Sequence, residues 1–345
     1  MALRIVVSIL LWLAIVARPD ATEPRQAAQE FLAGAFDLSK SDLSRIADGR
    51  VFARTLPVRN AREVATLGVV RIKTTPQRYV KQLADIAAFK RDEAILQIGT
   101  FSSPPQPDDL AALTLDEADL HSLRDCRPGD CDVQLSADAI DRFRAHMNWQ
   151  AADASRRATD LLRRILADYV TRYLEVGATA AMEYADSSGR LVLADEFASL
   201  LAADTTTWKH VPLLRDHLVG FPAKDADRAI DLIYWSKERV HRRPVVSVTH
   251  LAIVPGEHAS PVAYAIASKQ IYAMHYFDAS LGITLLVPDA AASPPTTYVV
   301  YLNRSRIDLF DGLLGGMARQ VVKGKARSLV AEQLGRIRTS LEKPG

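Results

Sequence analysis

The chain has 345 residues, of which 48% are hydrophobic and 24% are charged. These values are typical of globular proteins and exclude a chain that is disordered throughout. The formal net charge is +2, so the sequence lacks the strongly basic character of a nucleic-acid-binding protein, and we expect no nucleic-acid partner.

Residues 1–21 have the pattern of a secretory signal peptide. Arg4 precedes an apolar run from Ile5 to Ala17, which is shorter than the ~20 residues that a membrane-spanning helix needs. Small residues at Ala17 and Ala21 offer two cleavage positions. The sequence therefore predicts a periplasmic or secreted bacterial protein, with an uncleaved membrane anchor as the alternative.

The two cysteines, Cys126 and Cys131, flank a Pro-Gly pair in "RDCRPGDCDV". Pro-Gly favours a tight turn that would bring the cysteines together, and an exported chain favours their oxidation. We predict a disulfide that fixes a turn; a redox-active pair or a metal site is the alternative, although the spacing is not C-x-x-C.

The segment before residue 108 alternates between predicted helices and strands. "TTPQRYVKQLADI" begins a helix, with Thr75 as N-cap and Pro76 at the first helical position. The other predicted helices are Gln26–Phe36 and Ser41–Ala47, and the predicted strands are Gly49–Pro57, Glu63–Lys73 and Asp92–Phe101.

Residues 108–230 are predicted to form a mainly helical block. The strongest helical periodicity runs from Ala151 to Tyr184, and "DSSGR" is predicted to end that helix. The arginines of this helix are interpreted as a solvated face or as a docking surface for acidic lipid headgroups or another anionic partner; they are Arg156, Arg157, Arg163, Arg164 and Arg172.

Residues 231–345 are predicted to form five strands and a long C-terminal helix. Short breaks between the strands favour an antiparallel meander, with Phe277–Leu281 as a candidate hairpin turn. The helix is predicted from an apolar stripe that comprises Val321, Ala326, Leu329, Val330, Leu334 and Ile337. "GLLGG" (Gly312–Gly316) is interpreted as close packing of the start of that helix on the sheet, with room left for a ligand as the alternative.

This order of elements predicts an α+β fold in which a curved antiparallel sheet grips the C-terminal helix. Residues 22–107 and 231–345 form the sheet domain, and residues 108–230 form a large helical insertion. The stretch "GVVRIKTTPQRYVKQLADI" and the run from Tyr234 to the final helix give the chain a topology that resembles the START-like (helix-grip, SRPBCC-type) superfamily of lipid-transfer domains and polyketide cyclases. The resemblance covers residues 49–101 and 231–341. It implies a cavity for an apolar ligand between the sheet and the last helix, and it carries no fixed catalytic residues.

The sequence lacks the common catalytic motifs. It has no G-x-S-x-G, H-E-x-x-H or P-loop, and no G-x-G-x-x-G opening a helix. None of its eight histidines is in an H-x-H or an i, i+4 pair, so we expect neither a metal site nor a cofactor. His250 and His275 stand out because both lie in the meander, where pairing of their strands would bring the two imidazoles near each other or near Lys269.

Polar side chains embedded in the predicted strands are the candidate ligand site. Burying an unpaired charge costs several kcal/mol or more, so these groups are expected to be paired, solvated or in a wet cavity. They are either the outer face of a half-exposed sheet or the polar end of an apolar cavity, with Lys269 and Arg304 holding an anionic headgroup. The candidates are Trp235, Glu238, His250, Lys269, Tyr272, His275, Arg304 and Asp308.

Three functions remain open on the sequence alone. The first is an exported protein that binds a lipid or another apolar small molecule. The second is a non-catalytic envelope protein that docks through the arginine-rich helix. The third is an exported hydrolase or cyclase-like enzyme that pairs His250 or His275 with Asp308 or Glu238. Whether the protein is an enzyme is left undecided.

Overall fold

A computed structural model describes residues 22–187, 189–222, 229–240, 243–258, 260–308 and 315–343. The predicted signal peptide of residues 1–21 lies outside these ranges, and so does the first part of the "GLLGG" segment. Within the described ranges no helix has both the length and the apolar character needed to cross a membrane.

The centre of the fold is an open, eight-stranded antiparallel sheet with the order β1-β2-β10-β9-β8-β7-β6-β3. The five predicted strands of the meander are confirmed as neighbours in the sheet. The strands of this sheet are β1 Phe52–Leu56, β2 Glu63–Ile72, β3 Ile95–Thr100, β6 Ile230–Arg239, β7 Pro244–Pro255, β8 Tyr264–Ala273, β9 Phe277–Asp289 and β10 Thr296–Ile307; a separate hairpin comprises β4 Glu183–Asp186 and β5 Gly189–Val192.

Helices cover both faces of the sheet. The described α-helices are α1 Thr22–Phe36, α2 Lys40–Ala47, α3 Pro76–Leu83, α4 Ile86–Phe89, α5 Glu117–Asp125, α6 Ala137–His146, α7 Ala154–Val176, α8 Leu193–Ala203, α9 Thr205–Trp208, α10 Pro212–Gly220 and α11 Gly315–Glu342. Thr75 caps α3 as predicted, because its hydroxyl accepts a hydrogen bond from the Arg78 amide at 3.1 Å.

The alternation of side chains along each strand divides the core into two layers. On β2, Leu67 and Val69 pack in the layer under the helical block, whereas Val70 and Ile72 pack in the layer under α3, α4 and α11. A sheet covered on both faces buries both sets of side chains. We call these two faces the block face and the α11 face.

The predicted α+β class is confirmed, and the topology is compatible with a helix grip. After β2, the pair α3–α4 leads to β3 at the opposite edge of the sheet, and the meander β6–β10 returns to β2 before α11. The helical block and the β4–β5 hairpin lie between β3 and β6 in the sequence.

The C-terminal helix exists, but the apolar stripe predicted for it is partly wrong. Val330 and Leu334 are buried against the sheet, whereas Val321 is 71% exposed and Leu329 is 49% exposed. The packed side is an i, i+4 series through Val322, Ala326, Val330 and Leu334, with Leu341 near its end.

The longest predicted helix of the block ends earlier than "DSSGR". Helix α7 stops at Val176 because Gly177 adopts a positive φ of 61°. A Cβ atom at this position would lie 1.8 Å from the Phe221 carbonyl oxygen, so only glycine fits here. The chain then forms the β4–β5 hairpin, which the sequence analysis assigned to the helix and its end.

The predicted hairpin turn at Phe277–Leu281 is also wrong. The turn comprises Met274, His275 and Tyr276, and Phe277 already begins β9. Tyr276 has a φ of 67°, a left-handed conformation that is uncommon for a residue other than glycine.

The predicted disulfide is confirmed. Cys126 and Cys131 are joined, with their Cα atoms 4.5 Å apart. The bridge closes the loop after α5, whose Arg127 and Asp130 form an isolated antiparallel pair.

Candidate functional site

An apolar cavity of about 150 Å³ lies between the block face of the sheet and the helices above it. Helices α7, α8 and α10 and strand β8 supply most of its wall. Lys269 is the only charged residue among the described residues that line it; the others are Tyr169, Tyr173, Ala178, Ala181, Leu193, Ala194, Phe197, Ala198, Leu201, Leu218, Val219 and Ile271.

This position differs from the one that the START-like resemblance implies. Beside α11 the structure instead has an open groove of about 650 Å³ whose lining includes Arg71, Lys73, Arg338 and Lys343. The apolar cavity is therefore on the block face, whereas on the α11 face Val330 and Leu334 of α11 pack in the hydrophobic layer against the sheet.

Lys269 is buried and has aromatic neighbours in place of a counter-ion. Its Nζ atom lies 4.9 Å from the centre of the Phe197 ring and 5.4 Å from that of Tyr173. Within the described ranges, no carboxylate forms an ion pair with it. Burial in these surroundings lowers the pKa of Lys269 to about 8, because removal from water disfavours the charged form. Among the described residues that line the cavity, Lys269 thus provides the one charged group, and that group is a cation.

A chain of four hydrogen-bonded side chains begins at the cavity wall and leads away from it. The Tyr173 hydroxyl lies 2.9 Å from His250 Nδ1, and His250 Nε2 lies 2.7 Å from Asp231 Oδ1. His217 Nε2 approaches the same Asp231 oxygen at 2.8 Å. We call Tyr173, His250, Asp231 and His217 the relay.

Burial and hydrogen bonding together set the charge states of Tyr173, His250 and Asp231. Burial lowers the pKa of His250, although the neighbouring Asp231 acts in the opposite direction, so this imidazole is neutral. Burial would raise the pKa of Asp231, but the hydrogen bonds from His217 and His250 outweigh it and hold the pKa at about 2. Burial also raises the pKa of Tyr173. A neutral His250 that donates from Nε2 to Asp231 leaves Nδ1 to accept from the Tyr173 hydroxyl.

The structure brings His250 and Lys269 together, as the sequence analysis considered. They are directly opposite each other on β7 and β8, and the register continues through Leu281 to Arg304 on β10. Arg304 does not line the cavity. Its guanidinium instead binds the Glu63 carboxylate at 2.6 Å. Lys269 and Arg304 therefore share one row of the block face, but their surroundings differ.

His275 and Tyr272 lie in a different polar cluster. His275 Nε2 is 2.9 Å from Asp119 Oδ1, and its Nδ1 is 3.0 Å from the Asp132 carbonyl oxygen. Tyr272 is fully buried and lies within electrostatic range of the same Asp119. The carboxylates that contact His250 and His275 are thus Asp231 and Asp119, not the expected Asp308 or Glu238.

The remaining predicted residues have structural partners outside the cavity. Trp235 donates its indole N–H to the Asp109 carbonyl oxygen at 2.8 Å. Glu238 accepts from Lys90 at 2.7 Å on the α11 face. The backbone N–H of Asp308 donates to Tyr276. None of these three residues is among those that line the cavity.

The arginine-rich helix α7 is neutralised over much of its length. Arg156 and Arg157 both bind Asp153, at 2.6 and 3.0 Å. Arg163 binds Asp160 at 3.0 Å and two backbone carbonyl oxygens of the loop before α5. Three of the five arginines that were predicted to dock an anionic partner therefore bind groups within the chain itself.

Asp231, His217 and Tyr173 were not predicted as site residues from the sequence. Tyr173 belonged to the apolar stripe of α7, and Asp231 was the first residue of a predicted strand. One signal was present: Asp231 precedes "LIYW" at a position that shares a face with Ile233 and Trp235, so a carboxylate begins a buried row. The chain gives no match to a protein-family model, to a curated protein or to a solved structure.

Proposed function

We propose that this protein binds a small molecule with an apolar body and one anionic group in the cavity that Lys269 lines. The observation that carries the proposal is the buried lysine, which has no ion-pair partner within the described ranges and opens onto an otherwise apolar wall. An apolar cavity with few, well-placed polar groups is typical of small-molecule sites. A ligand carboxylate would supply the counter-ion that Lys269 lacks.

The size of the cavity limits the ligand. Its volume of about 150 Å³ is near that of a cavity that accepts benzene, roughly 150 Å³, and below the ~300–1,000 Å³ of drug-sized sites. A short-chain or aromatic carboxylate would fill it. A fatty acid would place only one end inside, and the rest of the chain would leave past the exposed Ala178, Ala198 and Val219.

We further propose that the protein is an exported member of the START-like superfamily with its ligand site moved to the block face. The order of β2, α3–α4, β3, the meander and α11 supports the superfamily, and the sequence of residues 1–21 supports export. An N-terminal sequence of the mature protein that begins near residue 18 or 22 would support export; an intact N-terminus would count against it.

The test is a calorimetric titration with benzoate and with the uncharged benzyl alcohol. A charge-assisted hydrogen bond contributes about 1.5–3 kcal/mol, so benzoate should bind roughly 10- to 150-fold more tightly. Ala198→Trp, at the cavity mouth, should abolish binding of both. Ala202→Trp is the control, since Ala202 is exposed on the same helix α8 and does not line the cavity. Equal affinities for the two probes, or binding that survives Ala198→Trp, would refute the proposal.

A further inference from the structure

We infer that His217, Asp231 and His250 form a binding site for one divalent transition-metal ion of the Zn²⁺ class. The site is independent of the proposed ligand cavity, from which it is separated by Tyr173. One ligand atom from each of the three residues lies within 4.8 Å of the others.

Three separate elements carry the three ligands. His217 is in the last turn of α10, Asp231 is the second residue of β6, and His250 is in the middle of β7. Asp231 pairs with Ala252 and His250 pairs with Ile233 in the sheet register, so Asp231 and His250 are diagonal neighbours on the block face. Helix α10 packs on β7 and brings His217 above this pair.

The two histidines converge on one point. Both Nε2 atoms lie 2.7–2.8 Å from the same oxygen, Asp231 Oδ1, while Oδ2 makes no hydrogen bond to another described residue. Metal–nitrogen and metal–oxygen bonds of ~2.0–2.2 Å at tetrahedral angles place neighbouring ligand atoms ~3.3–3.5 Å apart. Each histidine nitrogen therefore needs to move only about 0.5–0.8 Å away from Asp231 Oδ1 to reach the spacing of two ligands on one ion.

A supporting contact holds the most buried ligand in the required orientation. The Tyr173 hydroxyl lies 2.9 Å from His250 Nδ1, which leaves Nε2 directed at Asp231. With an ion on Nε2, the imidazole would carry its proton on Nδ1 and donate it to the Tyr173 oxygen, the reverse of the direction in the metal-free protein. Histidine ligands in metal sites commonly have such a partner on the second ring nitrogen. The Phe221 ring, 4.3 Å from the His250 ring and 5.8 Å from the His217 ring, closes the apolar side of the site.

The donor set and the exposure define the class of ion. Two imidazoles and one carboxylate suit Zn²⁺ and its neighbours Fe²⁺, Co²⁺, Ni²⁺ and Cu²⁺, whereas Mg²⁺ and Ca²⁺ prefer oxygen ligands alone. The side chain of His250 is fully buried, but that of Asp231 is 21% exposed, so an ion and a water molecule have access from the Asp231 side. Three protein ligands with an open fourth position is the arrangement found in catalytic zinc sites.

The experiment is a titration of the chelator-stripped full chain with Zn²⁺ in competition with a chromophoric chelator, followed by Co²⁺ absorption spectroscopy. We expect one Zn²⁺ per chain and visible Co²⁺ bands typical of four- or five-coordinate nitrogen and oxygen ligation. His217→Ala and the isosteric Asp231→Asn should abolish stoichiometric binding. Tyr173→Phe should retain the site with an affinity lower by about 10-fold or more.

His121→Ala is the matched control. The side chain of His121 is 78% exposed and lies beside Asp125, and it contacts none of the three proposed ligands. It should bind Zn²⁺ like the wild type. Circular dichroism checks the fold of each variant. If a ligand variant unfolds, the wild-type Co²⁺ spectrum still decides, since it reports ligation directly. The inference is overturned if the wild type binds no ion stoichiometrically or shows no such bands, or if folded ligand variants bind as well as the wild type.

Discussion

Replacing Lys269 by methionine should stabilise the protein. The pKa of this lysine falls from an ordinary value of 10.5 to about 8 in the folded protein, and at 1.36 kcal/mol per pH unit this difference corresponds to roughly 3 kcal/mol. The cation–π contacts with Phe197 and Tyr173 are worth about 1 kcal/mol and would be lost. At pH 7 we therefore expect Lys269→Met to raise the free energy of unfolding by about 2 kcal/mol.

The sign of this effect depends on pH in a defined way. Because the pKa of Lys269 is lower in the folded than in the unfolded chain, the folded state binds the proton less tightly. The penalty is fully present below pH 8, and it disappears as the pH rises from about 8 to 10.5. Urea denaturation at pH 7 and at pH 10 should show the advantage of Lys269→Met shrinking at the higher pH.

Lys237→Met is the matched control for this prediction. Lys237 is also a buried lysine on a strand, but its Nζ atom binds Asp116 at 2.6 Å and the Thr114 carbonyl oxygen at 2.8 Å. Its replacement should lower the free energy of unfolding by about 1–3 kcal/mol. If Lys269→Met destabilises the protein as Lys237→Met does, Lys269 has a favourable partner and our reasoning about it is refuted.

Three further predictions concern the stability of the fold around the site. Gly177→Ala should lower the free energy of unfolding by at least about 2 kcal/mol, because Gly177 has a positive φ and the new Cβ would lie 1.8 Å from a carbonyl oxygen. The control is Gly335→Ala, which has open space on α11 and should raise the free energy of unfolding by up to about 1 kcal/mol. If urea denaturation gave the two variants similar stabilities, this prediction would be contradicted. Cys126→Ala should lower the melting temperature by an amount equivalent to less than about 3 kcal/mol, because the disulfide closes a short loop, and a larger loss would show that the bridge does more than fix a turn. Asp119→Ala should cost about 1–3 kcal/mol in urea denaturation by leaving the buried His275 Nε2 without its partner; an unchanged stability would contradict that assignment.

Much of the sheet is predictable from the sequence, because the information is local. The meander strands have β-rich composition and short breaks, so β6 to β10 were found with their order. Lys269 and Ile271 are two residues apart on β8, so the alternation of side chains puts them on one face, and both line the cavity. The end of α7 was missed even though Gly177 was a visible signal, since glycine commonly follows the last turn of a helix.

The candidate site was only partly predictable, because its contacts join distant parts of the chain. His250 and Lys269 were identified from the sequence as polar residues in strands. That they lie directly opposite each other depends on the register between β7 and β8. His217 and Asp231 meet only because α10 packs on β7, and no spacing in the sequence encodes that contact. The position of the cavity on the block face was missed for the same reason: the helical block, not α11, supplies Phe197 and Tyr173.

The most direct measurement of the central claim is an NMR pH titration of the Lys269 side chain, with and without benzoate. We expect a pKa of about 8 for Lys269 in the free protein and a higher pKa in the presence of benzoate, because a nearby anion favours the charged amine. Lys269→Met assigns the signal. An ordinary pKa near 10.5 that benzoate leaves unchanged would contradict the account.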